Sequence, residues 1–498
     1  MPPAAPLPEG LKTLMNSPTT PARHRVLVCL LPMVWTLALG LWGLSRQDSV
    51  WRDEAATWQV AQRSTAEIWS MLGNVDVVHG CYYLFMHGLF EYFGPSTTTL
   101  RLPSVLATAV AAACVAAIGH RLAGLSVGLA GGLAFGLLPA VQFYLQEGRP
   151  YALVAAGAGI STLLLVTALQ GRTQMPHWFA YGGTVLACGL LNWLSLMILP
   201  AHLLTLLWTR PTLRISVRWA AASAAATACV LPLMLFSHSQ SVQVSWIPPL
   251  TWHMLIGPTV LLLIGGIGAA LDRPRAGHLS VAAVGLPLLA VPQLGLAGLS
   301  LIQPLFLDRY ILFSLLGLAL LIGSIIGSAV QAAAPRFPRA SRWILPAVVA
   351  LAVMALLPQA LAKRSPASRV DDVLAAASEV RLMNEPGSAV LFIPSARRDT
   401  KSVSPSAFAG LRDIALAQSP EESGTLKGVE VDPDQIRAAM LAQHRIVLVT
   451  DASQVAKPVT AKRDKLKTSV LTTYFTVVAD EQVRGRRVTA YERRAAPH

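Results

Sequence analysis

Eleven apolar runs divide the first 361 residues of this chain, at about 26–44, 103–119, 125–143, 151–169, 178–191, 193–208, 217–236, 253–271, 279–301, 310–330 and 343–361. About 20 helical residues cross the roughly 30 Å hydrocarbon core of a bilayer. The pattern therefore predicts an all-α polytopic membrane protein with about 11 transmembrane helices. Only Asn192 separates the runs at 178–191 and 193–208; merging them would flip every later span. The segment 46–102 is too long for a tight turn. Within it Trp58, Val60, Ala61, Ile68, Trp69 and Leu72 predict helical pieces at the membrane interface. The piece 81–93 (CYYLFMHGLFEYF) is rich in aromatics that favour the headgroup level. Unstructured loops of this length are unusual unless functional.

After residue 362 the pattern changes. Asp371 to Met383 reads as an amphipathic helix and Ala389 to Ile393 as a strand. Asp432-Pro433-Asp434-Gln435 reads as a capping box opening a helix to about Gln443, and Arg445 to Thr450 as a buried strand. This alternation predicts a small soluble α/β domain. It contains no GxGxxG, P-loop or GxSxG motif, and its role is not legible. The organisation is then a cytoplasmic tail (1–25), a transmembrane domain (26–362) with its first extracytoplasmic loop at 46–102, and an extracytoplasmic domain (363–498).

Composition agrees: 53% of residues are hydrophobic and 13% charged, against about 25% charged in soluble domains. A net charge of +14 then points to anionic lipid headgroups before nucleic acid. No zinc-finger, RRM-like or basic-zipper pattern supports a nucleic-acid partner. Four of the five cysteines lie in apolar runs, which argues against a disulfide framework or a Cys-based metal site. With the amino terminus inside, inner segments of the span region hold thirteen Lys and Arg against six in outer ones, as the positive-inside rule requires. An odd number of spans then puts the tail from Lys363 outside a multi-pass plasma membrane protein. The first run reads as an uncleaved anchor, since it is long and no small-x-small cleavage site stands out after Leu44.

Residues 1–362 contain ten Asp or Glu, and eight fall on the outer side of this topology. Asp53 and Glu54 directly follow the first span in Trp51-Arg52-Asp53-Glu54. Asp76 and His79 (DVVH) share that loop, and Arg101 opens the second span in RLPS. Glu147 and Arg149 (QEGRPY) and the pair Asp308 and Arg309 (LDRY) lie on the same side. A carboxylate there can accept a hydroxyl proton, bind a divalent metal or stay solvated. An arginine matches a phosphate with its planar fork of donors, or anchors the helix by snorkelling. Tyr82 and Tyr83 read as an interface belt or as a sugar platform, and His87 as a packed side chain. Gathered at one face, these groups fit a site for an anionic lipid carrier.

The order of these motifs resembles the polytopic lipid-linked-sugar glycosyltransferases of the GT-C fold. The similarity is to the branch of protein O-mannosyltransferases and aminoarabinose transferases, in its actinobacterial mannosyltransferase-like form. It covers roughly 20–330 and is strongest over 46–155. The resemblance implies a polyprenyl-phosphate sugar donor, with mannose suggested by the branch. The acceptor would be a hydroxyl of a protein, glycolipid or polysaccharide, reached at the outer membrane face with inversion. It makes Asp53 the base, with Glu54 positioning the acceptor or a metal. Arg149, Arg101 and Arg309 would hold the carrier phosphate, and Asp76, His79, Tyr82, Tyr83 and Glu147 would contact acceptor or sugar. Metal dependence is left open. His79-Gly80-Cys81 departs from the H-P-P or K-P-P of related enzymes, which puts a catalytic His79 in doubt.

The chemistry is coherent without the resemblance. A sugar on phosphate already carries a good leaving group, so no acid is needed to protonate it, in contrast to glycosidases. A lipid-linked-sugar transporter would place ionisable groups near the membrane midplane, whereas these spans are nearly free of charge at their centres. A noncatalytic scaffold with a cell-wall-binding outer domain would make Asp53, Glu54, Glu147 and Arg149 dispensable.

Overall fold

The computed structural model describes residues 22–240 and 246–494. Most of the expected amino-terminal tail, residues 1–21, lies outside the described residues. The helices run α1 (Ala22–Leu41), α2 (Arg52–Ala61), α3 (Thr65–Asn74), α4 (Gly80–Phe93), α5 (Thr97–Ala123), α6 (Leu125–Leu137) and the short α7 (Pro139–Tyr144). They continue as α8 (Tyr151–Leu169), α9 (Met175–Leu191), α10 (Ile198–Thr209), α11 (Leu213–Ser239), α12 (Ile256–Asp272), α13 (Val281–Ser300), α14 (Leu315–Ala333) and α15 (Pro338–Arg364).

Every apolar run of the sequence carries a helix. Among the described residues, seven helical stretches are long and apolar enough to cross a membrane: α5, α8, α11, α13 and α15, with α12 and α14 counted together with their leading 3-10 turns. The stretch 26–41, α6 and the stretch 193–209 are shorter apolar helices. At Asn192 the chain does break. The residue is extended, its side chain accepts from the Leu194 N–H, and a 3-10 turn leads into α10.

Lipid chains are as apolar as leucine, so helices in a bilayer associate through close packing rather than hydrophobic burial. Glycine makes that packing attainable. A Cβ on Gly128 of α6 would lie 2.6 Å from the Ala116 carbonyl of α5, and one on Gly323 of α14 would lie 2.6 Å from the Val127 carbonyl of α6. Helices α5, α6 and α14 thus form the centre of the bundle, while α11, α12 and α15 stay largely uncovered.

The loop helices form as expected, and α3 opens on a complete capping box between Ser64 and Glu67. Their apolar faces do not lie flat against lipid. Trp58, Ile68, Leu72, Tyr82, Tyr83 and Met86 form one core that also takes in Val373 and Val403 from beyond the last span. Tyr82 and Tyr83 are therefore buried rather than part of an interface belt, while Trp69, Tyr92 and Phe93 remain exposed.

Beyond α15 the chain builds a small sheet domain, with α16 (Val373–Met383), α17 (Asp399–Val403), α18 (Pro433–Leu441) and α19 (Lys462–Tyr474) around strands β1 (Ala389–Ile393), β2 (Arg412–Asp413), β3 (Leu416–Gln418), β4 (Val429–Glu430), β5 (Arg445–Asp451), β6 (Phe475–Val483) and β7 (Arg486–Arg493). The main sheet has the order β2-β1-β5-β7-β6; β1 is parallel to β2 and β5, and β7 is antiparallel to β5 and β6. Strands β3 and β4 form a separate antiparallel pair. Successive strand residues point to opposite faces, and here both faces are covered. Val390 and Phe392 pack towards Ala376 and Val380 of α16, and Leu391 and Ile393 towards Ile436 of α18 and Leu471 of α19. The capping box of α18 is present.

Candidate active site

Asp53 and Glu54 open α2, where Trp51 at the N-cap position offers no side-chain cap. Neighbouring residues on a helix point about 100° apart, so the two carboxylates meet different surroundings. Glu54 is fully buried. It accepts from Arg101 Nε and Nη2 at 2.7 Å each, from Arg46 Nη2 at 2.9 Å, and from the Gly148 N–H at 3.1 Å. Burial pushes the Glu54 carboxyl up, but Arg101 and Arg46 more than offset it and hold it down at about 2. Burial also lowers Arg46, to about 9, which leaves the pair ionised at neutral pH.

Two expectations change here. Glu54 is sealed between arginines and does not face an acceptor or a metal. Arg101 is buried as well, and its remaining N–H groups go to the Leu44, Ser45 and Ser49 carbonyls, so no donor is left for a carrier phosphate. Both residues tie the loop to the bundle. Arg46, one of the six basic residues of the outer segments, completes the knot.

Asp53 points elsewhere. Its side chain is 21% exposed, and Oδ2 lies 2.6 Å from Arg309 Nη1. The Arg309 guanidinium sits 5.6–5.9 Å from the ring centres of Tyr151, Trp246 and Tyr310, a cation–π setting that holds it in place. Asp308 accepts from the Tyr144 hydroxyl at 2.9 Å. Residues of the first loop and of the segment before α14 thus meet at one point. The aromatic partners Tyr151 and Tyr310 were within the quoted RPY and DRY motifs; Trp246 had no such signal.

Asp76 has left-handed backbone (φ 62°) just before a 3-10 turn over Val77–His79. Its Oδ1 lies 2.8 Å from His79 Nδ1, and its Oδ2 accepts from the Tyr83 hydroxyl. Burial pushes Asp76 up, but His79, Arg149 and the Tyr83 hydroxyl together hold it below the usual carboxylate range. The ring of His79 is oriented by Asp76. His87 is packed, with Nδ1 3.0 Å from the Ala61 carbonyl.

The loop between α7 and α8 is fastened at both sides. Thr57 donates to the Gly148 carbonyl at 2.9 Å and Ser104 to that of Glu147 at 2.6 Å. Arg149 Nη1 lies 3.5 Å from the Tyr83 hydroxyl. The Glu147 side chain is 99% buried (1% exposed). Among the described residues, both its carboxylate oxygens, the Tyr82 hydroxyl and Arg149 Nε have no hydrogen-bond partner. Burial pushes the Glu147 carboxyl up to about 7, against the pull of Arg369. Arg369, which sequence patterns did not flag, stacks on the Phe143 ring at 3.4 Å and donates to the Phe143 carbonyl at 2.7 Å. Among the described residues no three His, Cys, Asp or Glu side chains gather as a metal site.

The raised Glu147 predicts a pH effect. The folded state binds this proton more tightly than the unfolded chain, whose carboxyl titrates near 4.5. Stability therefore falls as pH rises from about 4.5 to about 7, and levels off above. Glu147→Gln should flatten that part of the profile, read as the thermal midpoint in detergent between pH 5 and 8. An unchanged slope would place the titration elsewhere.

A helical membrane bundle with a loop-borne carboxylate site and a small sheet domain defines the class: the chain has the GT-C fold. Residues 81–236 match the family model for dolichyl-phosphate-mannose-protein mannosyltransferase. ArnT from Cupriavidus metallidurans in the apo state is similar at a TM-score of 0.61 and 14% identity, over 93% of this chain and 97% of that one. The same protein bound to undecaprenyl phosphate gives 0.60 and 13% over the same shares. No curated protein sequence matches the chain.

Proposed function

We propose that this protein is an integral membrane glycosyltransferase that moves a sugar, mannose by the branch it resembles, from a polyprenyl-phosphate carrier to a hydroxyl acceptor. The observation that carries this reading is the Asp53–Arg309 pair, a partly exposed carboxylate 2.6 Å from a guanidinium held among aromatic rings. Asp53 takes the acceptor proton. The acceptor oxygen then bonds to the anomeric carbon from the face opposite the phosphate, and the carbon–oxygen bond to phosphate breaks, its electron pair leaving with the phosphate. Arg309 and Arg149 hold that phosphate, and its arrival draws Arg309 from Asp53 and frees the base. Cations set in advance where charge develops are worth more in a water-poor site than in bulk water. A cavity of about 420 Å³ lined by Leu261, Phe306, Ile311 and Leu315, with Asp308 among its walls, offers an apolar berth for the prenyl chain. The relative whose structure holds undecaprenyl phosphate has the same fold, which favours a carrier of that class.

The test uses the purified protein in detergent, where flipping has no meaning. Label should pass from polyprenyl-phosphate mannose to a hydroxyl acceptor, and no transfer from any polyprenyl-phosphate sugar would defeat the reading. Asp53 belongs at the extracytoplasmic face in this proposal. The exposed Cys81 should then react with a membrane-impermeant maleimide in intact cells, and protection until lysis would reverse the orientation.

A further inference from the structure

Helix α2 carries the candidate base on its first turn, yet its own N-cap residue supplies no cap. The first N–H groups of a helix need acceptors, and a carboxylate there also meets the positive end of the helix dipole. The acceptor is present, but it comes from the other end of the protein. Asp371 lies 319 residues beyond Arg52; its Oδ1 accepts from the Arg52 backbone N–H at 3.0 Å and its Oδ2 from Arg52 Nε at 3.1 Å. A backbone bond from Val373 N–H to the Val50 carbonyl at 2.7 Å fastens the same junction.

Asp371 is itself held rigidly. It is buried, and Arg486 of β7 reaches it with Nε at 3.0 Å and Nη2 at 2.9 Å. Arg486 is fixed in turn by Asp399 at 2.7 and 2.8 Å and by the Thr400 hydroxyl at 3.0 Å. An unbroken chain of ionic contacts therefore runs from the sheet through Arg486 and Asp371 to the residue next to Asp53. A second hold lies further along the loop, where Arg63 donates to the Thr425 carbonyl at 2.8 Å.

We propose that Asp371 is a positioning residue for Asp53: the sheet domain caps α2 in place of a local side chain and thereby fixes the turn that carries the base. The domain is then part of the active site's frame rather than a separate binding module. The cap itself goes beyond the functional reading above; only the kinetic arm of its test rests on that reading.

The experiment compares full-length wild type, Asp371→Ala and Asp371→Asn in detergent. Amide hydrogen exchange over residues 50–61 should quicken about 2- to 30-fold in Asp371→Ala, the range a lost cap implies, while residues 97–123 exchange as in wild type. Asp371→Asn keeps an oxygen for the Arg52 N–H and should recover part of the protection. In the transfer assay kcat should fall about 10- to 100-fold, as for a displaced catalytic group, with the donor KM within about twofold. Unchanged exchange over 50–61 in Asp371→Ala overturns the cap, and faster exchange with wild-type kcat overturns its positioning role. Should Asp371→Ala fail to fold, Asp371→Asn decides by the same two readouts: exchange over 50–61 faster than wild type supports the cap, and wild-type exchange overturns it. A wild type that exchanges as expected but transfers no sugar counts against the proposed function, and the exchange data alone then decide the cap.

Discussion

Asp53→Asn should reduce sugar transfer by about 10²–10⁴-fold, the contribution of a positioned general base, while the protein still inserts and folds. The amide keeps the shape of the carboxylate and one oxygen that can accept from Arg309. What it loses is the ability to take a proton from an acceptor hydroxyl. The structural cost should be small. The two side chains still reach solvent, at 21% and 13% exposure, so Arg309 is not left sealed and unpaired as a fully buried partner would be. Arg309 also keeps its three aromatic neighbours. Initial rates at saturating donor and acceptor, alongside the thermal midpoint in the same detergent, separate chemistry from folding. Wild-type turnover would remove Asp53 from the mechanism, and a collapsed midpoint would make its role structural.

The helical bundle was legible because its signal is local. Runs of apolar residues long enough for a bilayer reveal themselves in a window of 20, and even the break at Asn192 followed from a single polar residue between two runs. The sheet domain was half legible for the same reason. Ala389–Ile393 and Arg445–Thr450 are short apolar runs, and the Asp432–Gln435 cap is a local pattern. The β6–β7 hairpin was not anticipated, because most of β6 is exposed and leaves no such run.

The site was legible as a neighbourhood but not as a set of roles. Motif order gathered Asp53, Asp76, Glu147, Arg149 and Arg309, and the structure brings them together. Which arginine faces which carboxylate depends on partners 47 residues apart for Glu54 and Arg101, and 256 apart for Asp53 and Arg309. No local pattern encodes those separations. Arg101 and Arg309 look alike in sequence, each beside a helix and on the same side. Only the fold shows the first sealed against Glu54 and the second open beside Asp53. Arg369 and Asp371 were not picked out as site residues because they lie past the last span, in a segment whose composition reads as an independent domain.

Glu54→Ala should act in the opposite way to Asp53→Asn, by breaking the frame rather than the chemistry. Removing one member of a buried ion pair costs about 3–5 kcal/mol, because the partner is left charged and unpaired. Here two guanidinium groups, Arg46 and Arg101, would be stranded in a buried site, and the Gly148 N–H would lose its acceptor. Against a typical stability of about 5–15 kcal/mol, such a loss is enough to disorder the first loop and the loop before α8 together. Glu54→Gln should be milder, since an amide still accepts one hydrogen bond. The pH dependence follows with a definite sign. The folded carboxyl is held near 2, below the 4.5 of an ordinary glutamate. Its contribution is therefore complete above about 4.5 and fades as pH falls towards 2. Thermal midpoints of Glu54→Ala and wild type should lie far apart at pH 7 and draw together towards pH 2. If Glu54→Ala instead keeps the wild-type midpoint at pH 7 and loses only turnover, the adjacent carboxylates share one catalytic role. The division argued from their 100° separation on α2 would then be wrong.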